Sequence, residues 1–146
     1  MTGRATWRAW AIAVLAVVAW ACGGSTTTPS PAALNLGGTW TGTWTFVVAG
    51  ATVVDAVTLT LTQSGSLAVG SWSAAGGAGG TISFSPGGTI AGTASISQTL
   101  ISGPNCSATT SLTGTATATS VQFTLGPLTS AGLCQWAASH QFAFSR

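Results

Sequence analysis

The sequence has almost no charge. It contains no Lys, no Glu and no Tyr, and its charged side chains are Arg4, Arg8, Asp55 and Arg146. A nucleic-acid-binding surface needs many basic groups to neutralise phosphates, so we expect no nucleic-acid partner. General acid–base catalysis needs paired titratable groups, and the only candidate pair is Asp55 with the single histidine, His140. Because the sequence also lacks a Gly-x-Ser-x-Gly elbow, we expect a protein that is not an enzyme.

The N-terminal 21 residues have the pattern of an export signal. Arg4 and Arg8 precede an apolar run from Ala9 to Trp20, and small residues occupy positions 19 and 21. A transmembrane helix needs about 20 apolar residues, and this run is far shorter, so a retained membrane span is the weaker alternative. We expect residues 1–21 to be a signal peptide that is cleaved before Cys22.

Ala21-Cys22 resembles the end of the lipobox of bacterial lipoproteins, in which a small residue precedes the Cys that receives diacylglycerol. This chain departs from the family pattern in having Ala19 where Leu is usual, followed by the bulky Trp20. The resemblance implies that Cys22 carries acyl chains such as palmitate. It also implies an exported protein of the bacterial cell envelope, held at the outer membrane or cell surface by its lipid. Residues 22–35 are rich in Gly, Ser, Thr and Pro and are expected to be a flexible tether, with an ordered arm as the alternative.

Residues 36–146 alternate between apolar and hydroxylated side chains with the period of a β-strand. In the first segment, Trp40, Trp44 and Phe46 share one face and threonines occupy the other. The predicted strands are Thr39–Val48, Val53–Thr62, Leu67–Ser73, Thr81–Ser85, Thr89–Ile101, Cys106–Thr117, Ser120–Leu125 and Cys134–Ser145. We expect an all-β domain with an antiparallel up-and-down meander of about eight strands that closes into a small barrel. A β-sandwich is the alternative.

The composition of this sequence gives a physical reason for the sheet to close into a barrel. Sheet edges are normally protected by charged side chains, above all Lys, and this chain has almost none. Pairing the first strand with the last removes the edges altogether. Glycines inside the predicted strands are where we expect the sheet to coil or bulge, and they are Gly42, Gly70, Gly92 and Gly114.

Two cysteines remain if Cys22 is lipidated. In an oxidising compartment Cys106 and Cys134 are expected to form a disulfide, which would stabilise the domain by roughly 3 to 4 kcal/mol in the chain-entropy model. Two reduced, buried thiols are the alternative. We expect neither a metal nor a cofactor, because one His and one carboxylate side chain are too few ligands.

Gly38-Thr39-Trp40 resembles the opening Gly-x-Trp motif of lipocalins and of the wider calycin group, which includes avidin-like barrels. Gly42-Thr43-Trp44 offers a second register for the motif. In lipocalins an Arg near the last strand packs across the motif Trp at the closed end of the barrel, so the resemblance implies that Arg146 packs across Trp40. Lipocalins also have a helix beside the last strand, and nothing in this sequence predicts one.

The inner face carries the candidate binding residues, which are Trp44, Trp72, Trp136 and His140. For the indoles, filling of the core is the first expectation, because a small barrel must be filled, and a ligand pocket is the alternative. We expect a non-enzymatic lipoprotein that binds a small apolar or amphiphilic molecule in the open end of the barrel. The alternative is a structural or adhesive domain that acts through its outer Thr/Ser faces and through the loops Ala75–Gly80 and Gly126–Leu133. The sequence does not identify a protein partner.

Overall fold

The computed structural model describes residues 34–99, 105–130, 132–137 and 139–146. The predicted signal peptide, Cys22 and nearly all of the predicted tether lie outside the described residues. Among the residues that are described, no helix is long and apolar enough to cross a membrane.

Eight antiparallel strands form one sheet that closes into a barrel. Every strand pairs with the strand that follows it in the chain, and β1 pairs with β8. The strands are β1 (Gly38–Val48), β2 (Ala51–Ser64), β3 (Leu67–Ala74), β4 (Gly79–Phe84), β5 (Thr89–Thr99), β6 (Asn105–Ala116), β7 (Ser120–Leu125) and β8 (His140–Ser145). The predicted all-β meander and its closure are confirmed, and the sandwich alternative is wrong.

Burial alternates along the strands as the period of two requires. In β1, Trp40 and Trp44 are buried while the threonines at positions 39, 41 and 43 are exposed. Cross-strand pairing places Trp40 beside Leu59, and Leu59 beside Trp72, so the apolar faces of β1, β2 and β3 meet inside the barrel. The outer surface is therefore built mainly from Thr and Ser.

Five inward-facing glycines mark close approaches between neighbouring strands. They are the four glycines expected from the sequence, together with Gly80, and a Cβ atom at any of them would overlap a carbonyl oxygen of the adjacent strand. At Gly42 the obstructing atom is the carbonyl oxygen of Ala143. The β1–β2 register runs without interruption past Gly42, so this glycine allows close approach of the backbones and not a bulge.

One end of the barrel is closed by the segment that precedes β1. Leu36 is fully buried there, and its carbonyl accepts a hydrogen bond from Trp40 Nε1 at 2.9 Å. Gln63, near the end of β2, accepts from the Leu36 amide and donates to the Leu34 carbonyl, each at 2.8 Å. These bonds hold residues 34–36 beneath the core.

Arg146 covers the same closed end. Its guanidinium carbon lies 4.2 Å from the centroid of the Trp40 ring, which is the stacking that the calycin resemblance implies. The guanidinium also donates to three backbone carbonyls, those of Gly37 at 2.9 Å, Asn35 at 2.7 Å and Ala118 at 3.0 Å. The C-terminal side chain thus ties the start of β1 to the β6–β7 turn.

The opposite, open end carries a long connection between β7 and β8, here named the cover segment (residues 126–130, 132–137 and 139). The last strand was expected to begin at Cys134, and this prediction is wrong, because β8 begins at His140. The predicted disulfide between Cys134 and Cys106 is confirmed, and it draws the chain toward the start of β6. The amide of Trp136 then donates to Ser130 Oγ at 2.9 Å instead of to a neighbouring strand.

Candidate functional site

Aromatic rings fill the middle of the barrel. Phe142 on β8 lies with its ring centroid 4.7 Å from that of Phe123 and 4.9 Å from that of Trp72. Phe144 continues the stack toward the closed end, 5.8 Å from Phe123. Side chains therefore occupy the middle of the barrel, and a ligand would have to bind nearer the open end.

Trp44 is the centre of the aromatic cluster nearest the mouth, here named the mouth cluster (Trp44, Phe46, Trp72, His140 and Phe142). Its ring stacks on Phe46 at 4.2 Å and on Phe142 at 5.7 Å, and it meets Trp72 edge to face at 5.5 Å. Such contacts add about 0.5 to 1.5 kcal/mol each beyond the area that they bury. The cluster forms an aromatic floor beneath the open end.

His140 lies in the mouth cluster and points inward. Its side chain is 4 % exposed, and its ring stacks on Trp44 with 5.6 Å between the centroids. The indole Nε1 of Trp44 donates a hydrogen bond to His140 Nδ1 at 3.2 Å. His140 reaches Trp44 because the β1–β8 register pairs His140 with Phe46, which lies two residues from Trp44 on the same face of β1. The imidazole therefore faces the interior of the barrel.

Burial governs the protonation of His140. Loss of hydration lowers the pKa of the imidazole below its usual value of 6.5, and the Ala137 carbonyl offsets part of this effect. No group of the described residues forms a hydrogen bond with the buried Nε2 atom. The site therefore contains a neutral imidazole that accepts a hydrogen bond from Trp44 and lies beside the Ala137 carbonyl.

Trp72 has a second role in the wall of the barrel. Its Nε1 donates a hydrogen bond to the Ser95 carbonyl at 3.2 Å. The amide of Thr81 donates to the side-chain Oγ of Ser95 at 2.8 Å. The β4–β5 pairing is interrupted at this level, between the pairs Gly79–Ser97 and Ile82–Ala94. The hydrogen bond to a backbone carbonyl therefore restrains the Trp72 ring, which is less free to rotate away from a ligand than a ring without such a bond.

A cleft of about 330 Å³ lies at the rim of the mouth, here named the rim cleft. Residues 47–50, at the tip of the β1–β2 hairpin, form one wall and residues 135–137 of the cover segment form the other. The hairpin turn has positive φ at both central residues, 50° at Ala49 and 81° at Gly50, which is the pattern of a type I′ turn. Apolar side chains such as Val48, which is 49 % exposed, and the half-buried Trp136 line this space.

The structure brings together three of the four predicted binding residues. Trp44, Trp72 and His140 belong to one cluster, whereas Trp136 lies on the cover segment and lines the rim cleft. Sequence reasoning did not select Phe46 and Phe142 as site residues, although both alternate in step with selected ones. It also missed the tip of the β1–β2 hairpin, whose position depends on tertiary structure alone.

Asp55 is not joined to His140. Its Oδ2 atom accepts from the Gly76 amide at 2.8 Å and so stabilises the β3–β4 loop, while His140 is bonded to Trp44. Within the described ranges, no three His, Cys, Asp or Glu side chains come together in a group that could hold a metal ion.

The architecture is compatible with a calycin-like barrel, since eight antiparallel strands close in sequence order. The detailed likeness consists of the Gly-x-Trp motif that opens β1 and of Arg146 across Trp40. Comparison of the chain with models of known protein families and with curated protein sequences finds no match.

Proposed function

We propose that this chain is an exported, non-enzymatic protein of the bacterial cell envelope, anchored by a lipid at Cys22, that binds a small apolar or amphiphilic molecule at the open end of its barrel. The observation that carries the binding proposal is the rim cleft, a space of about 330 Å³ at the open end whose lining includes apolar side chains such as Val48 and Trp136 and one polar side chain, that of Gln135. Binding sites for small molecules combine such apolar walls with a few polar groups.

The anchor is supported by the order of features along the chain. A basic start, an apolar run and Ala21-Cys22 precede a Gly/Ser/Thr/Pro-rich stretch. The described domain then begins at the closed end, where residues 34–36 are bound beneath the core.

The outer surface supports a second candidate, a structural or adhesive role. A groove of about 280 Å³ on the outer face is lined largely by Thr and Gln side chains of β1, β6, β7 and β8. These groups are uncharged donors and acceptors that could contact another polar surface. This role would not require the apolar rim cleft.

Native mass spectrometry of the full chain, purified from the envelope of a bacterial host, tests the proposal. We expect an N-terminal Cys22 that carries the mass of diacylglycerol and an amide-linked acyl chain, and the Cys22→Ala variant should lack both. We also expect one equivalent of the uncharged apolar probe N-phenyl-1-naphthylamine to bind.

Two matched variants locate the probe. Val48→Asp places a charge in the rim cleft and should weaken binding at least about tenfold, because the carboxylate would have to lose water. Val69→Asp makes the same change at a similarly exposed valine on the outer face, and should leave binding unchanged. Equal binding by both variants, or no binding by the wild type, contradicts the binding proposal, and an unmodified Cys22 contradicts the anchor.

A further inference from the structure

The β1–β2 hairpin extends beyond both of its neighbouring strands at the open end of the barrel. Strand β8 pairs with β1 only as far as Phe46, and β3 pairs with β2 only from Val57. Residues 47–56, here named the ribbon, therefore form a two-stranded extension in which β1 and β2 pair with each other and with no further strand of the described chain. A two-stranded ribbon is marginally stable by itself in water.

The ribbon is uncharged and largely apolar. Residues 48–54 are all exposed, with Val53 at 37 % and Val54 at 61 %. Asp55, at the base, is its one charged residue. Natural sheets protect an exposed edge with Lys, Pro or a bulge, and the ribbon has neither Lys nor Pro, while its β1–β2 register runs without a bulge. The ribbon is thus an unprotected sheet edge.

Strand β6 shows how the barrel protects a comparable edge elsewhere. This strand extends well beyond β7, which pairs only with its C-terminal part. The cover segment occupies the free side of β6, since the Gly126 amide donates to the Ser111 carbonyl at 2.8 Å and a disulfide joins Cys134 to Cys106. Along the β2 edge of the ribbon, by contrast, residues 51–54 are all exposed.

The backbone of β2 points hydrogen-bonding groups out of this edge. The Ala56 carbonyl accepts from the Ala75 amide at 2.9 Å, so the polar groups of Ala56 face away from β1. Alternate residues of an antiparallel strand face the same way, which turns the N–H and C=O groups of Val54 and Thr52 outward as well. Strand β3 does not pair with them, because its pairing with β2 begins at Val57. The edge thus offers the donors and acceptors that a further strand needs.

One antiparallel register allows the same edge of a second copy to satisfy all of these groups. With Val53 opposite Val53 of the second copy, Thr52 lies opposite Val54 and exchanges both backbone hydrogen bonds with it. A register centred on Val54 would place Thr52 opposite Ala56, whose carbonyl is already bonded to the β3–β4 loop. A register centred on Thr52 would place Val54 opposite Gly50, which lies in the turn.

The register centred on Val53 also suits the charge and polarity of the edge. Asp55 then lies opposite Ala51 of the second copy, and the two carboxylates are at opposite ends of the paired segment, so no like charges face each other. A lipid bilayer is a poorer occupant of this surface, because hydrocarbon would leave the outward N–H and C=O groups of Thr52 and Val54 without partners.

We propose that two copies of this chain associate through the ribbon, with Ala51–Asp55 of one β2 paired antiparallel with the same residues of the other about a twofold axis at Val53. The segment is shorter than the roughly 20 to 30 residues that each side of a stable interface contributes, so the dimer is weak and reversible. The inference goes beyond the proposed function and does not depend on it.

Cysteine cross-linking of the purified full chain traps a weak dimer and identifies its register. Val53→Cys places the two new thiols in a non-hydrogen-bonded pair, whose Cα atoms are about 4.5 Å apart, within the range that a disulfide spans. Thr52→Cys is the matched control, because its two copies would be diagonal neighbours about 7 to 8 Å apart, too far for a disulfide. We expect mild oxidation to cross-link Val53→Cys at least about tenfold more than Thr52→Cys. The wild type measures the background from the native cysteines.

Two substitutions of Val54, each combined with Val53→Cys, separate backbone pairing from contact between apolar side chains. Val54→Pro removes an outward N–H and leaves the β1–β2 hydrogen bonds in place, and should lower cross-linking to the wild-type background. Val54→Thr is also β-branched and keeps the N–H, so its cross-linking should stay within about twofold.

Three results would overturn the inference. They are equal cross-linking of Val53→Cys and Thr52→Cys, no cross-linking of Val53→Cys above the wild-type background, and cross-linking that survives Val54→Pro. Circular dichroism of each variant checks that the barrel is folded, and the comparison of the two cysteine variants decides the matter even if the proline variant is not. None of these results bears on ligand binding at the rim cleft or on the lipid at Cys22.

Discussion

Gly42 shows how a single residue controls the shape of the barrel. It faces inward between Trp40 and Trp44, at a point where the carbonyl of Ala143 on β8 occupies the place of a side chain. A methyl group there cannot be accommodated by rotating a side chain, because the obstructing atoms belong to the backbone. The β1–β8 seam, which closes the barrel, therefore depends on this glycine.

We expect Gly42→Ala to lower the free energy of unfolding by about 1 to 3 kcal/mol, the usual range for overpacking a core. For a domain of this size the melting temperature should fall by roughly 5 to 15 °C. Thermal denaturation followed by circular dichroism measures the change.

Gly88→Ala is the matched control for this substitution. A Cβ at Gly88 would have no neighbour within 4 Å, and its φ is not positive. Its melting temperature should stay the same or rise slightly, since alanine reduces the freedom of the unfolded chain. If Gly42→Ala and Gly88→Ala have the same melting temperature, the close approach of the backbones at Gly42 does not limit the size of the residue there.

For single residues, the sequence predicted which side chains face the interior, but it did not predict their hydrogen-bond partners. The alternation in β1 placed Trp40 and Trp44 inside because one face of a strand must be dry. The bond between Trp44 and His140 joins positions 96 residues apart and depends on the register of the β1–β8 seam. No local pattern contains that register, so the neutral imidazole could not be deduced from the sequence.

Among the elements, the cover segment is the one whose structure the sequence did not predict. Trp136 and His140 are four positions apart and so share one face of an alternating segment, which allowed a single strand from Cys134 to Ser145. The structure breaks this run because the disulfide holds Cys134 near β6 and Ser130 binds the Trp136 amide. These are long-range constraints, which a period of two cannot reveal.

The disulfide should stabilise the cover segment more than the rest of the barrel. Replacing both Cys106 and Cys134 by Ala opens a link between residues 28 apart, for which the chain-entropy model gives a loss of roughly 3 to 4 kcal/mol. Within the folded variant, we expect faster amide hydrogen exchange in residues 132–137.

The β2–β3 hairpin is the internal reference for this experiment, because it lies away from the disulfide and turns at the closed end. Its amides, for example those of residues 58–62, should exchange at nearly the wild-type rate under native conditions. Uniform acceleration across both regions would show that the disulfide stabilises the whole barrel without a particular effect on the cover segment.

The domain as a whole has very few titrating groups. His140 is the one side chain of the described residues whose ordinary pKa lies between 5 and 9, because Cys106 and Cys134 are oxidised. Its pKa is lowered by burial in the folded protein. The unfolded chain therefore binds a proton more readily than the folded chain as the pH falls below about 6.5.

Acidification from pH 7 to pH 5 should consequently lower the melting temperature of the wild type, whereas stability should be nearly constant from pH 7 to pH 9. The His140→Gln variant has no imidazole to protonate, so its melting temperature should depend less on pH over the lower range. Calorimetry at matched ionic strength measures both curves. A wild-type protein that gains stability on acidification would contradict the depressed pKa.

The overall architecture was the most predictable feature. The turn residues Gln63-Ser64-Gly65-Ser66 between two alternating segments indicated a hairpin, and hairpins in series give a meander. Closure followed from the shortage of charge that could protect an open edge. The rim cleft could not be predicted, because it lies between a hairpin tip and a cover segment that are far apart in the chain.

At the closed end, the Arg146 guanidinium donates to the Asn35 carbonyl at 2.7 Å, so the two extremities of the domain touch. In a closed meander each strand keeps the same two neighbours whichever strand comes first. A short peptide could therefore join residue 146 to residue 35, and new termini could be cut at Gly65, where the chain also turns at that end. The barrel is in this sense a ring, and a circular permutant would retain every strand pairing, including the seam between β1 and β8.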